Sequence, residues 1–192
     1  MMRRSVSVVM ALVALALATS ACGGVYRALP YCSRTDNAAF VLLAQSVPTA
    51  TQLPCIAELP AGWSYNGSDV SNGEARFWLD SDRAGFRAVE VSLRASCDTA
   101  GAVEEQPAPD EAGTQVFVRP DSLTPAFRGE RFLLFRGGCI AYAFRFTSGA
   151  SSTLAIEAIE ALSLLPRATI VAEVRNDPGL SLCGAGAPPC TG

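Results

Sequence analysis

The sequence predicts an α+β fold, in which an antiparallel sheet meander packs against two or three helices and is stapled by disulfides. Apolar and polar residues alternate with a period of two through residues 75–95 and 114–147, as they do in half-buried strands. Apolar residues follow a helical spacing in residues 36–46 and 151–165. Strands grouped together, with helices outside the group, are typical of the α+β class. Six cysteines between residues 32 and 190 supply the disulfides.

The amino-terminal part of the domain is expected to combine one helix with irregular chain. Asp36 is a suitable N-cap for a helix that runs through Ser46 with one apolar stripe. Pro48, Pro54 and Pro60 then predict an irregular stretch, because proline interrupts both helices and sheet ladders.

Five strands make up the predicted meander. The alternation is clearest from Ile140 to Phe146, where every second residue is large and apolar. Gly137-Gly138 predicts a two-residue hairpin turn in front of that strand. The expected strands cover residues 75–80, 86–95, 114–119, 130–136 and 139–147.

The remaining segments are a loop, two helices and a tail. Residues 98–113 are acidic and contain two prolines and two glycines, which predicts an exposed loop. A helix is expected over residues 151–165 and ends at Pro166. The apolar spacing of residues 167–176 favours another short helix, with a strand as the alternative. The tail that follows contains two cysteines and is expected to be stapled to the body by disulfides.

Residues 1–21 have the pattern of a lipoprotein signal peptide. After the positive pair Arg3-Arg4, residues 8–18 form an unbroken apolar run. As a helix this run is roughly 16 Å long, about half of a hydrocarbon core. Small residues before Cys22 resemble a lipobox, with Thr19 where leucine is commonest. We therefore expect a lipid such as palmitate on Cys22. Ordinary cleavage after Ala21, with a plain thiol at Cys22, stays open.

This pattern divides the chain into three parts. Residues 22–31 become a short tether behind the anchor, and residues 32–192 form a single globular domain with a cysteine-containing carboxy-terminal tail. At about 3.3 Å per residue, the tether holds the domain within roughly 33 Å of the membrane. The predicted location is the extracytoplasmic face of the cell membrane.

The cysteine count supports lipidation independently. Seven cysteines are an awkward number for an exported chain, in which thiols tend to pair. If strands 86–95 and 139–147 are antiparallel neighbours, Cys97 pairs with Cys139. The pairs Cys55–Cys183 and Cys32–Cys190 would then close the ends. Without Cys22, the disulfide candidates are Cys32, Cys55, Cys97, Cys139, Cys183 and Cys190.

Two residue types are missing from the chain, and their absence excludes much chemistry. There is no histidine, and all fifteen basic residues are arginine. Ser-His-Asp and Cys-His catalysis, histidine metal sites, lysine Schiff bases and Walker-type phosphate loops are therefore excluded. We expect neither a metal nor a cofactor. After residue 21, thirteen arginines face eighteen acidic residues, and this net charge of −5 argues against nucleic-acid binding.

One resemblance is carried by Leu59-Pro60-Ala61-Gly62-Trp63, the meander, Gly137-Gly138-Cys139 opening a long strand, and the closing helix. This arrangement resembles uncharacterised actinobacterial-type lipoproteins. In outline, over about residues 55–165, it is also similar to the PsbP/Mog1-like fold. The resemblance implies an architecture and a non-catalytic envelope or accessory role, because a fold alone does not set a function.

Four groups of side chains are candidate sites, and each has a plainer structural explanation. Asp80 and Asp82 suit calcium or a glycosidase carboxylate, or simply a solvated turn. The aromatic group can stack on sugars or fill the core. Its members are Trp63, Tyr65 and Trp78.

The other two groups are charged. An acidic group can attract a cation or a basic partner, or form a mobile loop; its members are Glu104, Glu105, Asp110 and Glu111. A basic group can clamp an anion, or pair with acids across strands; its members are Arg131, Arg136 and Arg145.

Two functional hypotheses follow. The first is a non-catalytic lipoprotein that binds an envelope protein, a wall polymer or a small apolar ligand, the last in a cavity beside Ile140, Tyr142 and Phe144. The alternative is a cell-wall glycan hydrolase that uses two carboxyl groups facing each other across a cleft. The sequence contains no recognisable catalytic set, which favours the first hypothesis.

Overall fold

The computed structural model describes residues 29–33, 38–176 and 181–190. The predicted signal peptide, Cys22, most of the tether and Asp36 lie outside the described residues. The described residues form three helices, a large antiparallel sheet and a small two-stranded sheet, so the predicted α+β class is confirmed. In chain order the elements are α1 (Ala38–Ser46), β1 (Gln52–Ile56), β2 (Trp63–Ser71), β3 (Glu74–Ser81), β4 (Gly85–Arg94), β5 (Val103–Glu105), β6 (Gln115–Ser122), β7 (Arg128–Phe135), β8 (Gly138–Arg145), α2 (Thr153–Glu160), β9 (Leu162–Pro166) and α3 (Arg167–Val174).

The large sheet has seven strands in the order β2-β3-β4-β8-β7-β6-β5, and all neighbours are antiparallel. All five predicted strands are present, as β3, β4, β6, β7 and β8. The predicted hairpin joins β7 to β8, but its two turn residues are Arg136 and Gly137, one position earlier than expected. Gly137 has a φ of +79°, and a Cβ there would lie 2.0 Å from the Thr49 carbonyl oxygen. Glycine is therefore required at this turn.

The small sheet corrects two predictions. β1 lies in the stretch that the prolines predicted to be irregular, and β9 begins where the helix over 151–165 was expected to continue. The two strands pair antiparallel with Pro54 opposite Leu164. In a two-stranded sheet each strand has one open edge, so a proline can be accommodated there. The strand at Leu162–Pro166 forms by pairing with β1, which lies more than a hundred residues earlier in the chain. Local residue spacing does not reveal so distant a partner.

One face of the large sheet is the main core. The helices and the small sheet lie on this face, where α1 packs against β2 and β3, and β1 packs against β4 and β8. The predicted alternation in β4 and β8 holds, because every residue expected to point towards the core is buried. These include Val89, Val91, Leu93, Ile140, Tyr142 and Phe144.

Three disulfides staple the domain, and only one of the predicted pairings is correct. Cys97–Cys139 forms as expected, because β4 and β8 are antiparallel neighbours. Cys32 pairs with Cys55, and not with Cys190. The backbone N–H of Cys32 donates to Ile56 O at 2.8 Å, and this contact brings the two cysteine Cα atoms to 5.1 Å.

The tail is closed on itself by Cys183–Cys190, which also corrects the predicted pair Cys55–Cys183. The backbone N–H of Gly184 donates to Pro188 O, and this turn brings the two cysteines together. The tail is thus not stapled to the body by a disulfide. It is held by hydrogen bonds, among them Ala185 N to Pro48 O at 2.8 Å and a contact from Arg167 to Cys183 O.

Arg167 is the buried centre of this attachment. Its side chain donates to the carbonyl oxygens of Ala44 and Cys183, and the residue is only 1% exposed. Burial lowers the pKa of Arg167, because desolvation disfavours the charged form. One arginine therefore joins α1, α3 and the tail.

The second face of the large sheet is partly covered. A small apolar cluster lies on it, built on Phe132, Cys139 and Ala141, with Cys97 and Ala102 packed against it. The segment from residue 95 to 102 thus covers the face over part of β8 and β7. The remainder of this outer face carries the polar side chains described next.

Candidate functional site

A row of side chains crosses the outer face at right angles to the strands. Directly opposed residues of antiparallel strands point to the same face, so the register places these five side chains side by side. The row reads Trp78 on β3, Glu90 on β4, Ala143 on β8, Glu130 on β7 and Arg119 on β6. The small Ala143 lies between the two glutamates and leaves a depression in the sheet.

This depression is part of a cleft of about 420 Å³. Ala143 belongs to its floor, and Pro120 and Asp121 lie at the end of β6. Three arginines and two acids give the lining a net positive charge. The charged residues are Arg119, Arg128, Arg145, Asp121 and Glu130.

Arg119 is fully engaged within the protein. It holds Glu130 with Nη2 and Nε at 2.6 and 3.1 Å from Oε2, and it donates to Ala100 O at 2.7 Å. Its guanidinium carbon lies 5.0 Å from the ring centroid of Phe132. Arg119 therefore fixes the covering segment to the sheet and offsets the charge of Glu130.

Arg145 is only weakly paired. Its Nη1 lies 3.5 Å from Oε2 of Glu90, and the same oxygen accepts a hydrogen bond from Trp78 Nε1 at 2.9 Å. More than half of the Arg145 side chain is exposed (56%). Its guanidinium is thus available to a ligand in the cleft.

Arg128 stands directly opposite Arg145 in the sheet. It is exposed, and it makes neither an ion pair nor a side-chain hydrogen bond with any described residue. Like charges in directly opposed positions destabilise a sheet. The cleft therefore contains two opposed arginines. Arg128 has no carboxylate partner among the described residues, and Arg145 has only the contact with Glu90 at 3.5 Å.

The predicted clamp of Arg131, Arg136 and Arg145 is not formed. Only Arg145 lies in the cleft. Arg131 lies opposite Tyr142 on the core face and is buried between Glu111 at 2.7 Å and Glu105 at 2.9 Å. Arg136 lies in the β7–β8 turn at the other end of the strands.

The acidic group is divided between two environments. Glu104 and Asp110 are exposed, as a solvated loop requires, whereas Glu111 is buried (6% exposed). Glu111 Oε2 accepts from Ala108 N at 3.0 Å as well as from Arg131. β5 and the short 3-10 turn Pro109–Glu111 are thus tied to the sheet edge, so the predicted loop over 98–113 is partly structured. Burial raises the pKa of Tyr142, and the negative charge of Glu111 adds to this effect.

The aromatic candidates are mostly packing residues. Trp63 is buried, and Tyr65 packs against Phe77. Trp78 carries the guanidinium of Arg87 over its ring at 4.2 Å, so that ring face is not open to a sugar.

Asp80 serves the hairpin between β3 and β4. Its Oδ1 accepts from Arg87 N at 2.7 Å, and its Oδ2 accepts from Asn66 Nδ2 at 2.5 Å. Arg87 has a φ of +45°, which a non-glycine residue seldom adopts, and the hydrogen bond from Asp80 stabilises this conformation. Asp82 is exposed and lies 3.6 Å from its neighbour Arg83. The described residues contain no group of three metal-ligating side chains.

A second cluster lies where β2 begins, beside α2. Arg83 Nη2 lies 2.5 Å from Glu157 Oε2, and Trp63 Nε1 donates to the same oxygen at 3.3 Å. The hydrogen bond from Arg83 holds the pKa of Glu157 below its usual value, and the bond from Trp63 acts in the same direction. The arrangement joins α2 to the sheet.

The sequence does not single out Arg119 or Arg128. Both lie on strands whose pairing partners are known only once the register is known. A signal was present in the alternation of β7, which places Arg128 and Glu130 on the face opposite to Arg131. No family model, curated protein or solved structure matches the chain. None of the described helices has the length and apolar character needed to cross a bilayer.

Proposed function

We propose that this chain is a lipoprotein of the extracytoplasmic face of the cell membrane, anchored by acyl chains on Cys22. Its domain acts as a non-catalytic binding or accessory module of the cell envelope. The observation that carries the proposal is the pairing of all six later cysteines in three disulfides. Disulfides of this kind persist in oxidising compartments, and their formation leaves Cys22 as the one cysteine without a partner in the domain.

Lipidation gives that remaining cysteine a role. Two or three acyl chains on one residue anchor a protein stably, whereas a single chain binds reversibly. The net charge of −5 after residue 21 supplies no attraction to an anionic membrane, so the lipid has to provide the attachment.

The test is fractionation of cells that express the chain with its own signal peptide. We expect the wild-type chain in the membrane fraction and Cys22→Ser outside it. The matched control is the double variant Cys183→Ser/Cys190→Ser, which removes cysteines without removing the anchor and should stay in the membrane. Equal distribution of wild type and Cys22→Ser would contradict the proposal.

The outer-face cleft supports the binding role. It is open to solvent, it lies on the face that the helices leave uncovered, and its charged side chains are not arranged as a nucleophile with a base. Histidine and lysine are absent from the chain, which removes the commonest general bases.

A carboxylate hydrolase of wall glycans is the second candidate, and one observation favours it. Glu90 and Glu130 both lie opposite Ala143, so their Cα atoms are about 9.5 Å apart across the cleft. However, Glu130 accepts two bonds from Arg119, and Glu90 accepts one from Trp78. Neither is placed in the apolar environment that a glycosidase general acid requires.

Release of reducing sugar ends from purified cell wall distinguishes the two functions. The binding module should release none. Release by the wild type that is lost in both Glu90→Gln and Glu130→Gln, but retained in Glu160→Gln on the surface of α2, would establish the hydrolase instead.

A further inference from the structure

We propose that Arg128 and Arg145 form a phosphate-binding site in the outer-face cleft, for a phosphate-bearing ligand that is not part of the membrane. This site deepens the proposed binding role. Only the statement that the ligand lies outside the anchoring membrane rests on the proposed function. The binding step itself depends only on the cleft.

The charge of the cleft favours an anionic ligand. Arg128 has no partner among the described residues, and Arg145 has one contact at 3.5 Å. Two of the nearby acids are already engaged, because Glu130 is held by Arg119, and Glu90, which contacts Arg145, also accepts a hydrogen bond from Trp78 Nε1 at 2.9 Å. Asp121 also lines the cleft and is exposed, and its single negative charge repels a bound anion. An anion placed between two directly opposed guanidinium groups offsets their mutual repulsion.

The position of the two arginines favours a phosphate over a carboxylate. Arg128 and Arg145 reach the cleft from neighbouring strands, about 5 Å apart at their Cα atoms. A carboxylate presents the lone pairs of its two oxygens in one plane, and a bidentate guanidinium fork occupies one side of that plane. A phosphate presents oxygens in several directions and can accept from two forks at once. The cleft, with a volume of about 420 Å³ and the small Ala143 in its floor, has space for the group that carries the phosphate.

The orientation of the cleft favours a ligand outside the anchoring membrane. The chain enters the domain at Pro30, whose carbonyl accepts from Ile56 N at 2.7 Å on β1. β1 lies in the layer that covers the core face of the large sheet. The arginine pair lies on the opposite face of that sheet. A ligand in the cleft therefore approaches from the side away from the tether, which favours a soluble or wall-borne phosphate over a lipid headgroup in the anchoring membrane.

The test is a titration of the full chain carrying Cys22→Ser, secreted and oxidised, with inorganic phosphate at low ionic strength. Backbone amide chemical shifts report the position of binding. We expect saturable shifts at Arg128, Ala143 and Arg145, and weaker binding of acetate than of phosphate. Each of Arg128→Gln and Arg145→Gln should weaken phosphate binding at least tenfold.

The matched control is Arg136→Gln, which makes the same charge change in the turn of the same hairpin and should bind phosphate as the wild type does. Thermal unfolding shows that each variant is folded, and added phosphate should raise the melting temperature of the wild type and of Arg136→Gln only. Equal weakening by Arg136→Gln, phosphate shifts elsewhere in the domain, or acetate binding as tight as phosphate would overturn the site.

A vesicle experiment distinguishes the source of the phosphate. Cys22→Ser should not bind vesicles of equal parts phosphatidylglycerol and phosphatidylcholine more than Cys22→Ser/Arg128→Gln does. Binding that depends on Arg128 would assign the cleft to lipid and overturn the orientation argument. Because the titration does not involve the anchor, its failure leaves the proposed lipoprotein intact. A failure of membrane fractionation likewise leaves a positive titration standing.

Discussion

Arg128 and Arg145 occupy directly opposed positions on β7 and β8, and of the two only Arg145 has a carboxylate contact, at 3.5 Å from Glu90. Most other arginines on the large sheet have a carboxylate partner. Arg76 pairs with Asp69, Arg94 with Glu74 and Arg119 with Glu130. The opposed pair lies in the cleft, and we expect it to lower the stability of the protein.

Arg128→Glu should stabilise the protein in phosphate-free buffer. The substitution replaces a like-charge pair by an opposite-charge pair, which is worth up to about 1 kcal/mol across antiparallel strands. Urea unfolding at low salt measures the effect, and salt should diminish it. Arg136→Glu is the control, since no arginine lies opposite it in the register. Equal changes in both variants would contradict the like-charge pair.

Arg167→Met should destabilise the protein by about 3 kcal/mol, because the buried carbonyls of Ala44 and Cys183 lose their donor. The exposed Arg175→Met, near the end of the same helix, should have little effect. Hydrogen exchange at the amide of Ala185 gives a local measurement, since this N–H bonds to Pro48 O in the docked tail. Unchanged exchange in Arg167→Met would show that the tail docks without the arginine.

The three disulfides should differ in their contribution to stability. Loop-closure entropy predicts a loss of about 4 kcal/mol for Cys97→Ala/Cys139→Ala, whose loop spans 42 residues, and of about 2.4 kcal/mol for Cys183→Ala/Cys190→Ala, whose loop spans 7. Denaturant unfolding of the two double variants tests this order. The reverse order would mean that the tail disulfide stabilises the body directly.

Glu157 should make stability depend on pH in the acid range. Its pKa in the folded protein lies below the ordinary value of 4.5, mainly because of the hydrogen bond from Arg83. As the pH falls below about 4.5, the unfolded chain takes up the proton first, so the stabilisation is present above this pH and is lost as the pH falls through the folded pKa.

Glu157→Gln should therefore be less stable than the wild type at neutral pH, and the difference should shrink in acid. Trp63 fluorescence followed against pH provides a second measurement, because its indole bonds to Glu157. Glu160→Gln on the same helix, where Glu160 has no ion pair with a described residue, should show no such difference. A difference that stays constant down to pH 2.5 would count against the Arg83–Glu157 contact.

The sequence predicts well the parts of the fold that local spacing determines. The alternation in β4 and β8 identifies both strands and the face of each that is buried, and the neighbouring strands place Cys97 beside Cys139. The helix Arg167–Val174 is likewise where its apolar spacing predicts. The small sheet could not be predicted in this way. Pro54 and Leu164 are paired although they lie far apart in the sequence, and neither segment has a strand pattern of its own.

The candidate site could be predicted only in part. Arg145 is among the predicted anion ligands, but the arginine that lies opposite it in the sheet is Arg128 and not Arg131. Successive residues of a strand point to alternate faces of the sheet. Arg128, at an even position of β7, therefore lies on the face opposite to Arg131, at an odd position. The partner of Arg131 could not be found either, because Glu111 is brought to it by a turn with no sequence pattern that indicates burial.

The most direct test of the account is the intact mass of the chain isolated from its own membranes. We expect an amino terminus at Cys22 bearing acyl chains, and a polypeptide six hydrogens lighter than the reduced form, as three disulfides require. An unmodified amino terminus, or any free thiol in the folded protein, would contradict it.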